Sequence, residues 1–100
     1  MFVSVTTAAT GGEPIENAAI VAEEMHGWLG GVEGFEGLLM LYEPGTTIGI
    51  TFWKDREVAE RNLPLRMQFL ERIVTVASVE VTKIEGFDVF AAHPVSRPGD

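Results

Sequence analysis

The sequence predicts a single small α+β domain with the element order β-α-β-β-α-β, and three observations predict it. The first is a stripe of Ile15, Ala19, Ala22, His26 and Leu29 at spacings of four and three, the pattern of an amphipathic helix. The second is a pair of strand-like runs, GLLMLY (37–42) and TIGITFW (47–53), separated by Glu43-Pro44-Gly45-Thr46. The third is a second helical stretch followed by VEVTKIEGFDVFAA (79–92), a closing strand. Strand, helix, hairpin, helix, strand is the split βαβ or ferredoxin-like arrangement: a four-stranded antiparallel sheet with two helices on one face.

Each element has its own signals. Residues 2–7, FVSVTT, are β-branched and aromatic, as a strand requires. TGGEP then breaks the chain, and Pro14 suits the first turn of a helix, where its missing N–H costs nothing. Gly30-Gly31 stops that helix. In the hairpin, proline followed by glycine fits a type II turn, proline fixing φ and glycine supplying a positive φ. A tight turn sets Leu41 opposite Ile48, Leu39 opposite Ile50 and Gly37 opposite Phe52. The other face of the pair then holds Leu38, Met40, Tyr42, Gly49, Thr51 and Trp53.

Asp55 is an N-cap for a short helix over 56–62. Pro64 belongs in the first turn of a new helix and breaks a continuous one, so the second helical region divides near Asn62. Its second part carries Leu63, Met67, Leu70, Ile73 or Val74 and Ala77 on one side. The alternation of the last strand slips at Glu85-Gly86, which predicts a bulge there. The domain spans 1–92, and residues 93–100, HPVSRPGD, read as a flexible tail.

Helices on one face leave the other uncovered, and the expected uncovered face is the one with Leu38, Met40, Tyr42 and Trp53. Burying side chains of this size is worth roughly 1.5–3 kcal/mol each, a large share of the stability of a small domain. The expected cover is a second copy, giving a homodimer with two-fold symmetry whose sheets face each other.

Composition narrows the function classes. Fifteen acids against seven bases give a net charge of −8, which repels a phosphate backbone, and the bases are scattered. Neither nucleic acid nor an anionic membrane is an expected partner. There is no cysteine, which removes disulfides, thiolate nucleophiles and cysteine-bound zinc. No apolar run approaches the roughly 20 residues of a membrane span, and MFVSVTTAATGGE lacks the basic and apolar regions of a signal peptide. A cytoplasmic location is the expectation. Two histidines far apart in sequence, with no paired acid spacing, make no metal-ligand set, and no hydrolase, phosphate-loop or dinucleotide motif is present.

GFEG (34–37) leading into the second strand, ITFWKDREVAE (50–60) leading into the second helix, and KIEGFDVFA (83–91) at the end carry a resemblance. Together with element order and length they resemble the dimeric α+β barrel group, most of all its antibiotic-biosynthesis-monooxygenase-like domains. The resemblance implies a barrel formed by two chains and, in one branch, oxygenation of polyketide-like aromatics without a bound cofactor. The haem-degrading branch uses an asparagine on strand one and a tryptophan and histidine on helix two. Strand one here, Phe2-Val3-Ser4-Val5-Thr6, has no asparagine, and residues 56–76 contain neither tryptophan nor histidine. The cofactor-free branch uses asparagine, tryptophan, tyrosine and arginine, residue types that this chain offers as Asn62, Trp53, Tyr42 and Arg66.

Four candidate catalytic residues follow. His26 places an imidazole on the apolar face of the first helix, where it would serve as a base; the structural alternative is a histidine favourable to the helix C-terminus. Trp53 would stack on a planar substrate, or simply plug the end of the barrel. Tyr42 and Asn62 would be stacking or polar anchors. The leading expectation is a small oxygenase, needing no cofactor, for a hydrophobic aromatic substrate; the alternative is a non-catalytic module for small-ligand binding or dimeric assembly. A cavity filled by Met25, Trp28, Met67 and Phe69 would favour the second. An open apolar one of roughly 300 Å³ or more would favour the first.

Overall fold

The computed structural model describes residues 1–10, 15–77 and 79–93. The elements are β1 (Phe2–Thr10), α1 (Ile15–Leu29), β2 (Phe35–Glu43), β3 (Thr46–Trp53), α2 (Arg56–Arg61), α3 (Leu63–Ala77) and β4 (Val79–Asp88). The strands form one antiparallel sheet in the order β2-β3-β1-β4, with the helices packed on one face. This is the ferredoxin-like arrangement. Pro14 and residues 94–100 of the tail predicted over 93–100 lie outside the described residues, as do the side chains of Ile15 and Ala19.

The hairpin has the predicted register: Leu41 pairs with Ile48, Leu39 with Ile50 and Gly37 with Phe52. Gly45 sits at φ 88°, the positive value that a type II turn demands. Asp55 caps α2, its Oδ1 accepting the Val58 N–H at 2.8 Å. Asn62 separates α2 from α3, and Pro64 falls in the first turn of α3.

Two local expectations are corrected. The irregularity between β1 and β4 falls where Thr7 pairs with Lys83 and Ala8 with Val81, so Thr82 is the extra residue and not Glu85 or Gly86. Gly86 is there for close approach: a Cβ on it would sit 2.5 Å from Cζ of Phe2, whose ring lies across it.

The faces of the sheet are also the reverse of the expectation. The core comprises Phe2 and Ala8 of β1, Met25 and Leu29 of α1, Trp53 of β3, Val58 and Ala59 of α2, Phe69 of α3 and Val79 of β4, with Leu38 packed against it. The face bearing Leu38 and Trp53 therefore meets the helices. The uncovered face carries Val3, Val5, Leu39, Leu41, Ile48, Ile50, Phe52 and Phe87. Both faces are apolar, so alternation separates them without saying which one the helices cover. An uncovered apolar face remains, built from a different set of side chains.

Candidate functional site

An open groove of about 560 Å³ lies between α1 and the edge strand β2. Ala22, Glu23, His26 and Gly27 line it from the helix, and Leu38 and Met40 from the strand. Residues 22, 23, 26 and 27 lie on one side of the helix, while Met25 and Leu29 turn into the core. On β2, alternation sends Leu38 and Met40 to the same side. The result is an apolar floor beneath a rim that carries one imidazole and one carboxylate.

His26 belongs to the last turn of α1, and its backbone carbonyl accepts the Gly30 N–H at 2.9 Å. The side chain is exposed at the groove, not enclosed under the helix as the stripe suggests. Glu23, one turn earlier, lines the same groove. It is the acidic neighbour that the sequence did not single out for His26, although a spacing of three on a helix was the available signal.

The other three candidates stand apart from His26. Trp53 has no exposed surface. Its indole N–H donates to the Thr51 hydroxyl at 2.9 Å, and its ring meets Phe35 edge-on at 5.5 Å. Asn62 joins two helices, its side-chain amide donating to the Val58 carbonyl at 2.9 Å. Tyr42 lies two residues beyond Met40 on the same side of β2, exposed at the hairpin end. Interaction partners therefore tie Trp53 and Asn62 into the scaffold, while Tyr42 shares the strand face of the groove floor.

Among the described residues, apolar side chains pack between the helices and the centre of the sheet. Met25 and Phe69 are buried there, and Trp28 packs edge-on against Phe69 with ring centroids 3.8 Å apart. Toward β2 the packing opens into the groove.

A polar seam runs through this packing. Arg66 of α3 donates to the Ala59 carbonyl at 2.9 Å and to the Ser4 hydroxyl at 2.7 Å, and its guanidinium lies 5.7 Å from the Trp53 ring centroid. Ser4 is a buried polar residue at the middle of the sheet and pairs with Thr51, which receives the Trp53 N–H. Burial lowers the Arg66 pKa from its ordinary value, with the negative charge of Glu60 partly opposing. Ser4 carried no signal in the sequence, because serine is more often exposed than buried. Among the described residues no group of three or more histidine, aspartate or glutamate side chains is placed to hold a metal ion.

No family model matches this sequence, and no curated protein matches it either. Solved structures do match its fold. SnoaB from Streptomyces nogalater, a cofactor-independent oxygenase, superposes with a TM-score of 0.70 at 18% identity, covering 94% of this chain and 97% of its own. The monooxygenase from the gene ActVA-Orf6 of Streptomyces coelicolor, solved with the ligand nanaomycin D, gives 0.65 at 17% identity, over 95% of this chain and 92% of its own. A Deinococcus radiodurans protein assigned to the antibiotic biosynthesis monooxygenases gives 0.68 at 17% identity, over 97% and 100%. At these identities the likeness is one of fold, and it spans nearly the whole chain. The protein has the ferredoxin-like α+β fold of the antibiotic-biosynthesis-monooxygenase-like proteins.

Proposed function

We propose that the protein is a small oxygenase that takes a hydrophobic aromatic substrate in the groove between α1 and β2 and needs no bound cofactor. The observation that carries this reading is His26 standing with Glu23 over the apolar floor of Leu38 and Met40. A groove of about 560 Å³ falls within the range of small-molecule sites. The likeness in fold to SnoaB and to the ActVA-Orf6 monooxygenase adds support at the level of reaction class.

His26 acts as the base. A substrate with an acidic C–H between aromatic rings gives its proton to the imidazole, and the resulting carbanion passes electrons to dioxygen, the co-reactant. The carbon loses two hydrogens and gains one oxygen atom as a carbonyl, and the second oxygen leaves as water. Glu23 steadies the protonated imidazole, and Tyr42 anchors the far end of the substrate. Trp53 and Asn62 serve the scaffold and do not line the groove. The chain works as a homodimer joined through its uncovered sheet face, in the cytoplasm.

Oxygen consumption with anthrone as test substrate checks this. His26→Ala should lose at least about tenfold of the turnover, within the span of general-base contributions, with the melting curve unchanged. An unchanged rate would remove His26 from the mechanism. A second reading, a non-catalytic ligand-binding or assembly module, is favoured by the complete burial of Trp53 and the capping role of Asn62. Binding of aromatic compounds with no oxygen uptake in the wild type would select it.

A further inference from the structure

Glycine is a poor helix residue, and Gly27 occupies the last turn of α1. Its backbone does not require glycine: φ lies outside the positive range, and a Cβ built there meets nothing within 4 Å. The empty space beside it is the groove, which Gly27 lines. Gly49 is a second glycine that bears on the groove, not by lining it but by supporting Met40, which does. It pairs with Met40 across β2 and β3, on the helix-facing side of the sheet. A Cβ at Gly49 would lie 3.3 Å from the Met40 sulfur and 3.9 Å from its methyl carbon, so the Met40 side chain rests on the place where a side chain is missing.

We propose that Gly27 and Gly49 set the width and depth of the groove, and thereby select a flat, fused-ring aromatic ligand over a single ring. This deepens the reading of the groove as a ligand site and rests on it. With hydrogen at position 27, and alanine one turn and more before it at position 22, the helix wall stays low. With hydrogen at position 49, Met40 lies down against β3 and presents its thioether as the floor. Methionine sulfur contacts aromatic rings favourably and adapts to their outline. A slot of this kind admits a planar body and gives a compact one few contacts.

The test measures binding, not turnover, with 2-naphthol as the two-ring probe and phenol as the one-ring probe, both followed by fluorescence or calorimetry. Gly27→Ala should raise Tm by about 2–4 °C through better helix propensity, yet weaken 2-naphthol by about tenfold or more. Gly49→Val, compatible with a central strand, should weaken 2-naphthol comparably by lifting Met40. Phenol should be affected far less by either change. The double variant Gly49→Val with Met40→Ala should recover 2-naphthol binding, which general damage to the fold would not allow. Unchanged 2-naphthol affinity in both single variants, against a binding wild type, would overturn the roles of the two glycines and leave the groove as a ligand site. A wild type that binds neither probe would overturn the ligand-site reading itself, and these glycine roles with it.

Discussion

Gly34 shows how much a single missing methyl group can decide. Its φ is 87°, and a Cβ there would drive into the Val58 side chain, which is itself buried in the core. Its carbonyl also accepts the Lys54 N–H at 2.8 Å, tying the entry of β2 to the exit of β3. Gly34→Ala should therefore destabilise the fold by about 2 kcal/mol or more, combining a strained backbone with overpacking. A urea midpoint shifted down by that equivalent is the expected result, and an unchanged midpoint would show that Val58 yields freely. The Ser4–Arg66 bond is the other residue-scale device. Ser4→Ala leaves a half-buried guanidinium without one acceptor and should cost about 1–3 kcal/mol. Combined with Arg66→Met, the total loss should be smaller than the sum of the single losses; strict additivity in chemical denaturation would mean the bond contributes nothing. The sequence showed Gly34 only as a strand entry, because its partner Val58 is remote in sequence. Ser4 was illegible for the same reason: its meaning lies in Arg66, which only the fold brings to it, whereas Glu23 stood one helical turn from His26 and was open to reading.

Elements were more legible than residues, since their signals are local. Pro44-Gly45, Asp55 and Pro64 each specify backbone geometry within a few positions, and the hairpin register, the cap of α2 and the break at Asn62 follow from them. The bulge was misplaced because glycine in a strand has two meanings. At Gly86 the meaning is the Phe2 ring, while Thr82, with nothing unusual in its neighbourhood, takes the extra position and donates to the Thr7 carbonyl at 3.2 Å. Between elements, Arg72 of α3 donates to Glu24 of α1 at 2.7 Å. That hydrogen bond, and with it the positive charge, holds the Glu24 carboxyl below its ordinary value of 4.5 despite an opposing desolvation. A carboxyl lowered in the folded state stabilises the fold above its unfolded pKa, and the contribution fades as pH falls through the folded one. Both partners are exposed, so the effect is small and screened by salt. In melts at low ionic strength, Glu24→Gln should lower Tm slightly at pH 7, and the difference should close in acid and in high salt. A difference that persists in acid would place its origin outside this ion pair.

For the whole molecule, the sequence established two apolar sheet faces and the need to cover both, but the assignment of helices to faces depended on the core. Trp53 is the deciding side chain: with no exposed surface it fixes its face against Met25, Leu29 and Phe69. The opposite face leaves Leu39, Leu41 and Phe87 at 46%, 43% and 48% exposure, beside the partly covered Val3, Val5, Ile48, Ile50 and Phe52. An apolar patch of this kind, running across all four strands, exceeds what single scattered side chains explain and marks an association surface. The two faces are thus distinct: one builds the core and, toward β2, the groove, while the other is the apolar surface through which the proposed homodimer would join. Native mass spectrometry of the full chain tests this account most directly. A species at twice the 10.9 kDa chain mass, converted to monomer by Ile50→Lys on the uncovered face, is the expected result. A wild type that stays monomeric at micromolar concentration would contradict it.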